Sequence, residues 1–320
     1  MTSLIGRRAF TAALASLPAA FSRAQDSATS VIVPFAAGSV ADALTRRYAV
    51  LMGEAMGAPM VVENITGASG VVAAHQFLRR PADGKTLLMA HSGLVCNAPL
   101  LAASPLDFDP VADFVPVSIF IYSPFVLFAA RDFPADNLQE LQRLGHSQAG
   151  ALTFAGADTG SANHIAAEVL LRRLGVRGTF VPYRNSQQSF IDVVEGRVDL
   201  GSYAWANIGP LVRAGRAKVL AVLANTPLTV APEYSTVPAQ GFGTFDVQGW
   251  MGVFVARGTP RAALLELERQ TAFILQRKGY DDFIVKAGQE AAFRTHAESK
   301  EFIATEVERW KAILRQLKLA

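Results

Sequence analysis

Cysteine is almost missing from this chain: Cys96 is the one thiol in 320 residues. A lone cysteine excludes an internal disulfide and any zinc site built on clustered thiolates, so stability must come from packing. Set between Val95 and Asn97 in a segment of small residues, Cys96 reads as a buried hydrophobe. Histidine is scarce as well, with His75, His91, His146, His164 and His296 making up the 5 in the chain. None stands beside a cysteine, and there is no H-E-x-x-H. His164 and Glu168 lie four apart on one helix, but two ligands do not hold a metal. No metal and no cofactor are expected. An excess of one charge is also missing. The chain has 30 basic and 27 acidic residues, and its first 24 residues hold Arg7, Arg8 and Arg23 without an acid. Removing that segment leaves 27 of each sign. With no basic run interleaved with aromatics, nucleic acid is not an expected partner.

Long apolar runs are absent too. The one at the N-terminus, Ala9 to Phe21, has about 13 residues, whereas a membrane-spanning helix needs about 20. Arg7-Arg8 precede it and Ser22-Arg23-Ala24 follow, so residues 1–24 read as an export signal cleaved after Ala24. The arginine pair resembles a twin-arginine signal, and the general secretory route stays open beside it. No cysteine at the cleavage point offers a lipid anchor. The expected mature protein is a soluble, periplasmic monomer.

The motifs of common catalysts are lacking in turn. Asp83-Gly84-Lys85-Thr86 imitates the end of a phosphate-binding loop, but Arg79 stands where the first glycine belongs and a strand follows in place of a helix. Gly67-Ala68-Ser69-Gly70 and Gly160-Ser161 do not fit a nucleophile elbow, and Ser69 and Ser161 read as helix caps. Gly38 stands alone in its loop, so no dinucleotide fingerprint is formed.

What is present is a strand–turn–helix cradle, found twice. Val31-Ile32-Val33 is an apolar strand that breaks at Pro34, loosens through Phe35-Ala36-Ala37-Gly38 and enters a helix with Leu44, Tyr48, Leu51 and Met52 on one side. A helix start reached through small residues leaves backbone N–H groups unpaired at the positive end of the helix dipole, which suits a carboxylate or phosphate. Leu152-Thr153-Phe154-Ala155 repeats the device through Gly156-Ala157-Asp158-Thr159-Gly160-Ser161 into a helix bearing Ile165, Ala166, Val169 and Leu170. Each alone could be an ordinary strand–helix turn. Together they suggest two domains closing on one small acid.

Ten strand candidates alternate with helical patterns along the chain: 31–34, 60–63, 86–90, 117–121, 127–130, 152–155, 179–181, 198–202, 218–223 and 247–255. This alternation predicts α/β domains with parallel sheets and helices on both faces. No flexible linker joins them, so the apolar stretches at 117–130 and 247–256 are the expected crossings. Domain 1 then covers 25–125 and 252–320, and domain 2 covers 126–251. The helix carrying Trp310 is expected beside the Val31 strand, and Thr259-Pro260 should start the helix before it.

Several motifs occur in a fixed order. They are Val33-Pro34-Phe35 … Gly38 … Asp42, Val61-Val62-Glu63-Asn64 … Gly67-Ala68-Ser69-Gly70, and Asp83-Gly84-Lys85-Thr86-Leu87-Leu88. Asp109-Pro110 … Asp113-Phe114-Val115-Pro116-Val117-Ser118, Gly160-Ser161 … His164 and Val181-Pro182-Tyr183 come next, then Trp250-Met251-Gly252-Val253-Phe254 and Gly258-Thr259-Pro260. The set resembles the extracytoplasmic solute receptors of tripartite tricarboxylate transporters, the Bug receptors, over the whole mature chain. The resemblance implies a type II periplasmic-binding (Venus flytrap) fold: two α/β domains joined by two crossing strands, with a carboxylate-bearing ligand between them and membrane transporter subunits as partners. It implies that amides and waters at Phe35–Asp42 hold one carboxylate, while the Asp158–His164 turn closes from the other side.

The chain departs from the family's pattern in three places. Gly38-Ser39-Val40-Ala41-Asp42 replaces a glycine run ending in Thr and Asp, and Val40 resists the positive φ that glycine allows. His91-Ser92-Gly93-Leu94 replaces a loop ending in Thr, and Tyr203 replaces an acid. The candidate ligand shell is Phe35, Ala36, Gly38, Ser39, Val40, Asp42, His91, Ser92, Gly93, Ala157, Asp158, Thr159, Ser161, His164, Tyr183 and Tyr203. For several of these a structural role competes. Asp42 would complement its helix dipole, His164 would be a satisfied helical histidine, and Tyr203 and Trp205 would pack between helices. Arg184 would draw anions to the rim or merely be solvated. The leading reading is a non-enzymatic binding protein for a small organic acid. A receptor signalling to a sensor kinase, and an exported α/β hydrolase, are the alternatives.

Overall fold

The computed structural model describes residues 29–102, 104–147, 150–157, 159–183, 186–277 and 279–317. Residues 1–24, read above as an export signal, and Asp158 and Arg184 lie outside the described residues. The first unit begins with β1 (Thr29–Val33), α1 (Val40–Met56), β2 (Met60–Asn64), α2 (Val71–Leu78) and β3 (Thr86–His91). A π-helical turn (Gly93–Asn97), α3 (Ala98–Leu101) and α4 (Pro110–Asp113) lead into β4 (Phe114–Ser123). The second unit holds β5 (Phe125–Ala130), α5 (Leu138–Ser147), β6 (Leu152–Gly156), α6 (Ala162–Arg173), β7 (Gly178–Pro182), α7 (Ser186–Val194), β8 (Leu200–Ala204), α8 (Trp205–Arg213) and β9 (Ala217–Leu223). The chain returns with β10 (Gly249–Ala256), α9 (Arg261–Arg277), α10 (Tyr280–Lys286), β11 (Glu290–Ala291) and α11 (His296–Leu317).

Two sheets result, in the orders β11-β4-β10-β3-β1-β2 and β7-β6-β8-β5-β9. They are mixed rather than parallel. β1 runs parallel to β2 and β3, and β6 to β7 and β8, as the helical crossovers between them require. β10 is antiparallel to β3 and β4, and β5 is antiparallel to β8 and β9. A strand that arrives from the other sheet comes without a crossover helix, so nothing holds it to the parallel direction. The first passage is β4–Pro124–β5, where proline breaks one apolar run into two strands of different sheets. The second passage lies in residues 224–248. β10 belongs to the first sheet from Gly249 onward, so the 247–256 stretch is not itself the crossing and a boundary at 251/252 would cut a strand.

Both faces of each sheet are covered, which is why β1, β3 and β10 read as nearly unbroken apolar runs. On one face of the first sheet, Val31, Val33 and Met89 pack with Leu44, Tyr48 and Met52 of α1 and with Leu267 and Ile274 of α9. The Tyr48 and Thr271 hydroxyls hydrogen-bond at 2.9 Å, and the Tyr280 hydroxyl donates to the Leu44 carbonyl at 2.9 Å, fixing α1 to its neighbours. On the other face, Ile32, Phe77 and Leu88 join Leu127, Phe154, Leu170 and Leu200 of the second unit in one continuous core. Trp250 and Trp310 belong to this shared core. α11 therefore lies across β4, the 93–97 turn and α6, on the face opposite α1, and not beside Val31 as the sequence suggested. The reason is the stripe of Trp310, Leu314 and Leu317, which fits the seam between the sheets. The helix after Thr259 begins at Arg261, and the Thr259 hydroxyl turns back to the Ala256 carbonyl.

Candidate functional site

In the first cradle, β1 ends at Val33, Gly38 turns with φ +80°, and Ser39 (φ −71°, ψ 163°) starts α1. The Ser39 hydroxyl accepts the Asp42 N–H at 3.2 Å, a side-chain cap. Val40 is already helical, so the positive φ that seemed to exclude valine falls on Gly38 alone. Asp42 is only 3% exposed. Its Oδ2 accepts the Gly38 N–H at 2.8 Å and Arg46 Nε at 3.0 Å, and its Oδ1 accepts Asn64 Nδ2 at 2.8 Å. The Asn64 amide also donates to the Phe35 carbonyl at 3.0 Å, and its oxygen accepts from Arg46 at 2.8 Å. Burial would raise the Asp42 pKa, but the donors from Arg46, Asn64 and Gly38 outweigh it and hold the carboxyl below its usual value. Asp42 is thus the anion that this turn already contains. It shapes the turn and takes up the Gly38 amide, leaving Ala36 and Gly38 exposed at the rim.

The second cradle has the same plan with a different lock. β6 ends at Gly156, Gly160 turns with φ +83°, and Ser161 (φ −62°, ψ 153°) opens α6. Here Nδ1 of His164 accepts the Gly160 N–H at 3.0 Å, in the place where Asp42 accepts that of Gly38. An Nδ1 that accepts puts the ring proton on Nε2. His164 is 5% exposed and lies 3.8 Å from the Phe180 ring, centroid to centroid. Burial, against a smaller pull from Glu168, lowers its pKa to about 4. The imidazole is neutral at ordinary pH and serves as a turn lock. In each cradle, a side chain four residues after the left-handed glycine accepts that glycine's amide.

The remaining candidates fall into two groups. His91, at the end of β3, packs on Phe35 with ring centroids 4.9 Å apart, and burial lowers its pKa to about 4. Gly93 is closely approached by the His91 ring, since a Cβ there would sit 3.0 Å from Cε1, and Ser92 is buried at 3% exposure. Phe35, His91, Ser92 and Gly93 thus lie together at or just past the ends of β1 and β3. Ala157 is half-buried and Thr159 exposed beside the second turn. Tyr183 stands at the end of β7 and donates to Asp192 Oδ2 at 2.6 Å, which together with burial raises its pKa to about 12. Tyr203 is placed otherwise. Its ring meets Phe190 edge-on at 4.8 Å and its hydroxyl bonds Ser189 at 2.9 Å, in the core of the second unit beneath α7 and α8. Trp205 shares that core. Ser161 stands at the cap position without capping, and Ser69 is itself left-handed (φ 52°) within the turn before α2.

Two residues matter more than the sequence indicated. Asn64 ties β2 to the first turn, and its signals were a polar residue closing a strand and a place in the motif Val61-Val62-Glu63-Asn64. Asn97 reaches from the first unit to the second: its Nδ2 donates to the Gly160 carbonyl at 3.2 Å, and Leu101 of α3 packs on the same glycine. A polar residue ending the apolar run Leu94-Val95-Cys96 was the trace it left.

Two α/β units, each with a left-handed glycine opening a helix start, have the plan of a two-domain solute-binding protein. The chain belongs to the tripartite tricarboxylate transporter receptor family, whose pattern matches residues 44–319. It is 28% identical over 286 residues to Protein BugT of Bordetella pertussis, covering 89% of this chain and 88% of that one. Among solved structures it resembles Rpa4515 of R. palustris with adipate, at TM-score 0.82 and 26% identity, with 90% of this chain and 96% of that chain covered. It also resembles MatC (Rpa3494) of Rhodopseudomonas palustris with bound malate, at TM-score 0.78 and 29% identity, over 90% of this chain and 99% of that chain. Among the described residues no group of His, Cys, Asp and Glu could hold a metal ion, and no helix is long and apolar enough to cross a membrane.

Proposed function

We propose that this protein is an exported, non-catalytic receptor that captures a small organic acid between the two cradles and presents it to the membrane subunits of a secondary transporter. The observation that carries this reading is the matched pair of turns, Gly38-Ser39 before α1 and Gly160-Ser161 before α6, each a left-handed glycine that opens a helix start suited to an anion. The bound carboxylates of Rpa4515 and MatC support the ligand class. Phe35, Ala36, Ser39, Val40, His91, Ser92 and Gly93 line one side in this proposal, and Ala157, Thr159, Ser161 and Tyr183 the other. Asp42 and His164 set the turns from behind. A thermal-shift screen of mono-, di- and tricarboxylates, followed by calorimetry on each hit, tests the reading. Stoichiometric binding without turnover supports it, and turnover of an ester or amide would replace it with the hydrolase. Export is tested by the mature N-terminus, which should be Gln25 in the periplasmic fraction and would be Met1 if the signal reading failed.

Backbone changes in the turns should cost more binding than side-chain deletions. Gly38 has open space around a Cβ, so Gly38→Val meets only its φ of +80°, a strain of about 1–2 kcal/mol that the turn relieves by moving its amides. Ser39→Ala removes one cap, about 1 kcal/mol of helix stability, and leaves the turn in place. Gly160→Val adds a clash to the strain, because a Cβ there would lie 2.2 Å from Leu101 Cδ1. Calorimetry with the acid found in the screen should rank Gly160→Val weakest and Ser39→Ala nearest the parent. A Gly38→Val protein that binds like the parent would show that the first turn does not touch the ligand.

A further inference from the structure

Around the start of α6, two buried polar atoms have no hydrogen-bond partner among the described residues. Asn97 is 2% exposed and aims its side-chain amide into the second cradle, with Nδ2 on the Gly160 carbonyl, yet its Oδ1 has no partner among the described residues. The Ser161 hydroxyl, at the cap position of a twelve-residue helix, is likewise buried and unbonded, and no side chain caps that helix. Leaving a buried acceptor and a buried hydroxyl unmet is costly, so they call for a guest or for ordered water that a guest displaces. The first cradle differs. Its cap is filled by Ser39, its glycine amide is held by Asp42, and Asp42 is an anion that repels another.

From this contrast we infer that the ligand's carboxylate docks at the α6 start and that Asn97 and Ser161 read a hydroxyl beside it: the ligand is a hydroxy acid. Asn97 Oδ1 can only accept, so it needs a donor on the ligand. The Ser161 hydroxyl can donate, so it is met by a lone pair. A hydroxyl offers both, an ammonium offers only donors, and a methylene offers neither. This inference rests on the proposed capture of an organic acid and narrows it to a chemical class. It also makes Asn97, outside the sequence-derived ligand shell, a specificity residue.

Two isosteric series test it by calorimetry on the mature protein: succinate, malate and aspartate, and propionate, lactate and alanine. The hydroxy acid of at least one series should bind about tenfold or more tighter than its methylene partner, the worth of one or two hydrogen bonds, and tighter than its amino partner. Ser161→Ala should erase that preference without lowering the melting temperature, since the lost hydroxyl bonds none of the described residues. Asn97→Ala should erase it too, and the unchanged fold of Ser161→Ala keeps the test valid if Asn97→Ala is unstable. Equal binding of hydroxy and methylene partners, or tighter binding of the amino acid, overturns the inference while leaving acid capture standing. Failure of all six acids also overturns it, and capture itself then falls only if the wider carboxylate screen is empty.

Discussion

Asp42→Ala will lose ligand binding and about 2–4 kcal/mol of stability, because it strips the acceptor from three donors at once. The Gly38 amide and Asn64 Nδ2 are left beside a cavity, and the turn that they shape loses its form. Arg46 is half-exposed and returns to water, so its ion pair contributes little of the loss. Asp42→Asn keeps one carbonyl acceptor and should cost less than the alanine variant. Urea unfolding of the three proteins measures the order, and equal midpoints would show that the turn does not depend on Asp42. The pH dependence has a definite sign. A carboxyl held below its ordinary 3.8 in the folded chain stabilises fully above that value, and the benefit fades as pH falls through the folded pKa. Parent stability should therefore fall more steeply below about pH 4 than that of Asp42→Asn.

Glu306→Leu is expected to be of similar severity, at about 2–5 kcal/mol, for a different reason. Glu306 is 2% exposed, and its Oε2 accepts the indole N–H of Trp250 at 3.0 Å and that of Trp310 at 3.3 Å. Leucine would orphan both donors inside the core shared by the two sheets. Arg309 also pairs with Glu306, but it keeps Asp246, so no charge is stranded. Burial raises the Glu306 pKa despite Arg309 and the indole. The folded chain therefore favours the protonated form, and stability declines as pH climbs from the ordinary 4.5 through the folded value. Glu306→Gln keeps an acceptor for the indoles and should flatten that decline with little loss at neutral pH. A Glu306→Leu protein as stable as the glutamine variant would disprove the role given to the indole bonds.

The strands and long helices were legible because their signal is local. Val31-Ile32-Val33 and Leu152–Ala155 are apolar runs of strand length, and Leu44, Tyr48, Leu51 and Met52 fall at helical spacing. Both cradles could be read for the same reason, since a glycine and a serine before a helix act within a few residues. Strand direction could not be read. Whether β5 runs with or against β8 depends on the end from which the chain enters the sheet, and no residue of Phe125–Ala130 records that. The roles of Asp42 and His164 were half visible. Their place in the first turn was plain, but the bond back to a glycine four residues earlier depends on the rotamer that burial selects. Tyr203 could not be placed from sequence, because a tyrosine at a strand end suits a cleft and a core equally well; in the fold it packs on Phe190 and bonds Ser189. Asn97 stayed hidden since its partner, Gly160, lies in a turn of the other unit, 63 residues on.

The position of α11 has a further result for solution work. Its body is built into the first unit, yet its last carbonyls, those of Gln316 and Leu317, accept from the guanidinium of Arg172 at 3.4 and 3.2 Å. Arg172 sits on α6, the helix whose opposite end forms the second cradle. A change in the angle between the units must stretch those bonds or drag the final turn of α11 along. The amides of Ala312 to Leu317 are therefore a built-in gauge of cleft opening. If a captured acid draws the two units together, as the proposed function requires, their exchange with deuterium should slow, in a segment outside the proposed ligand shell.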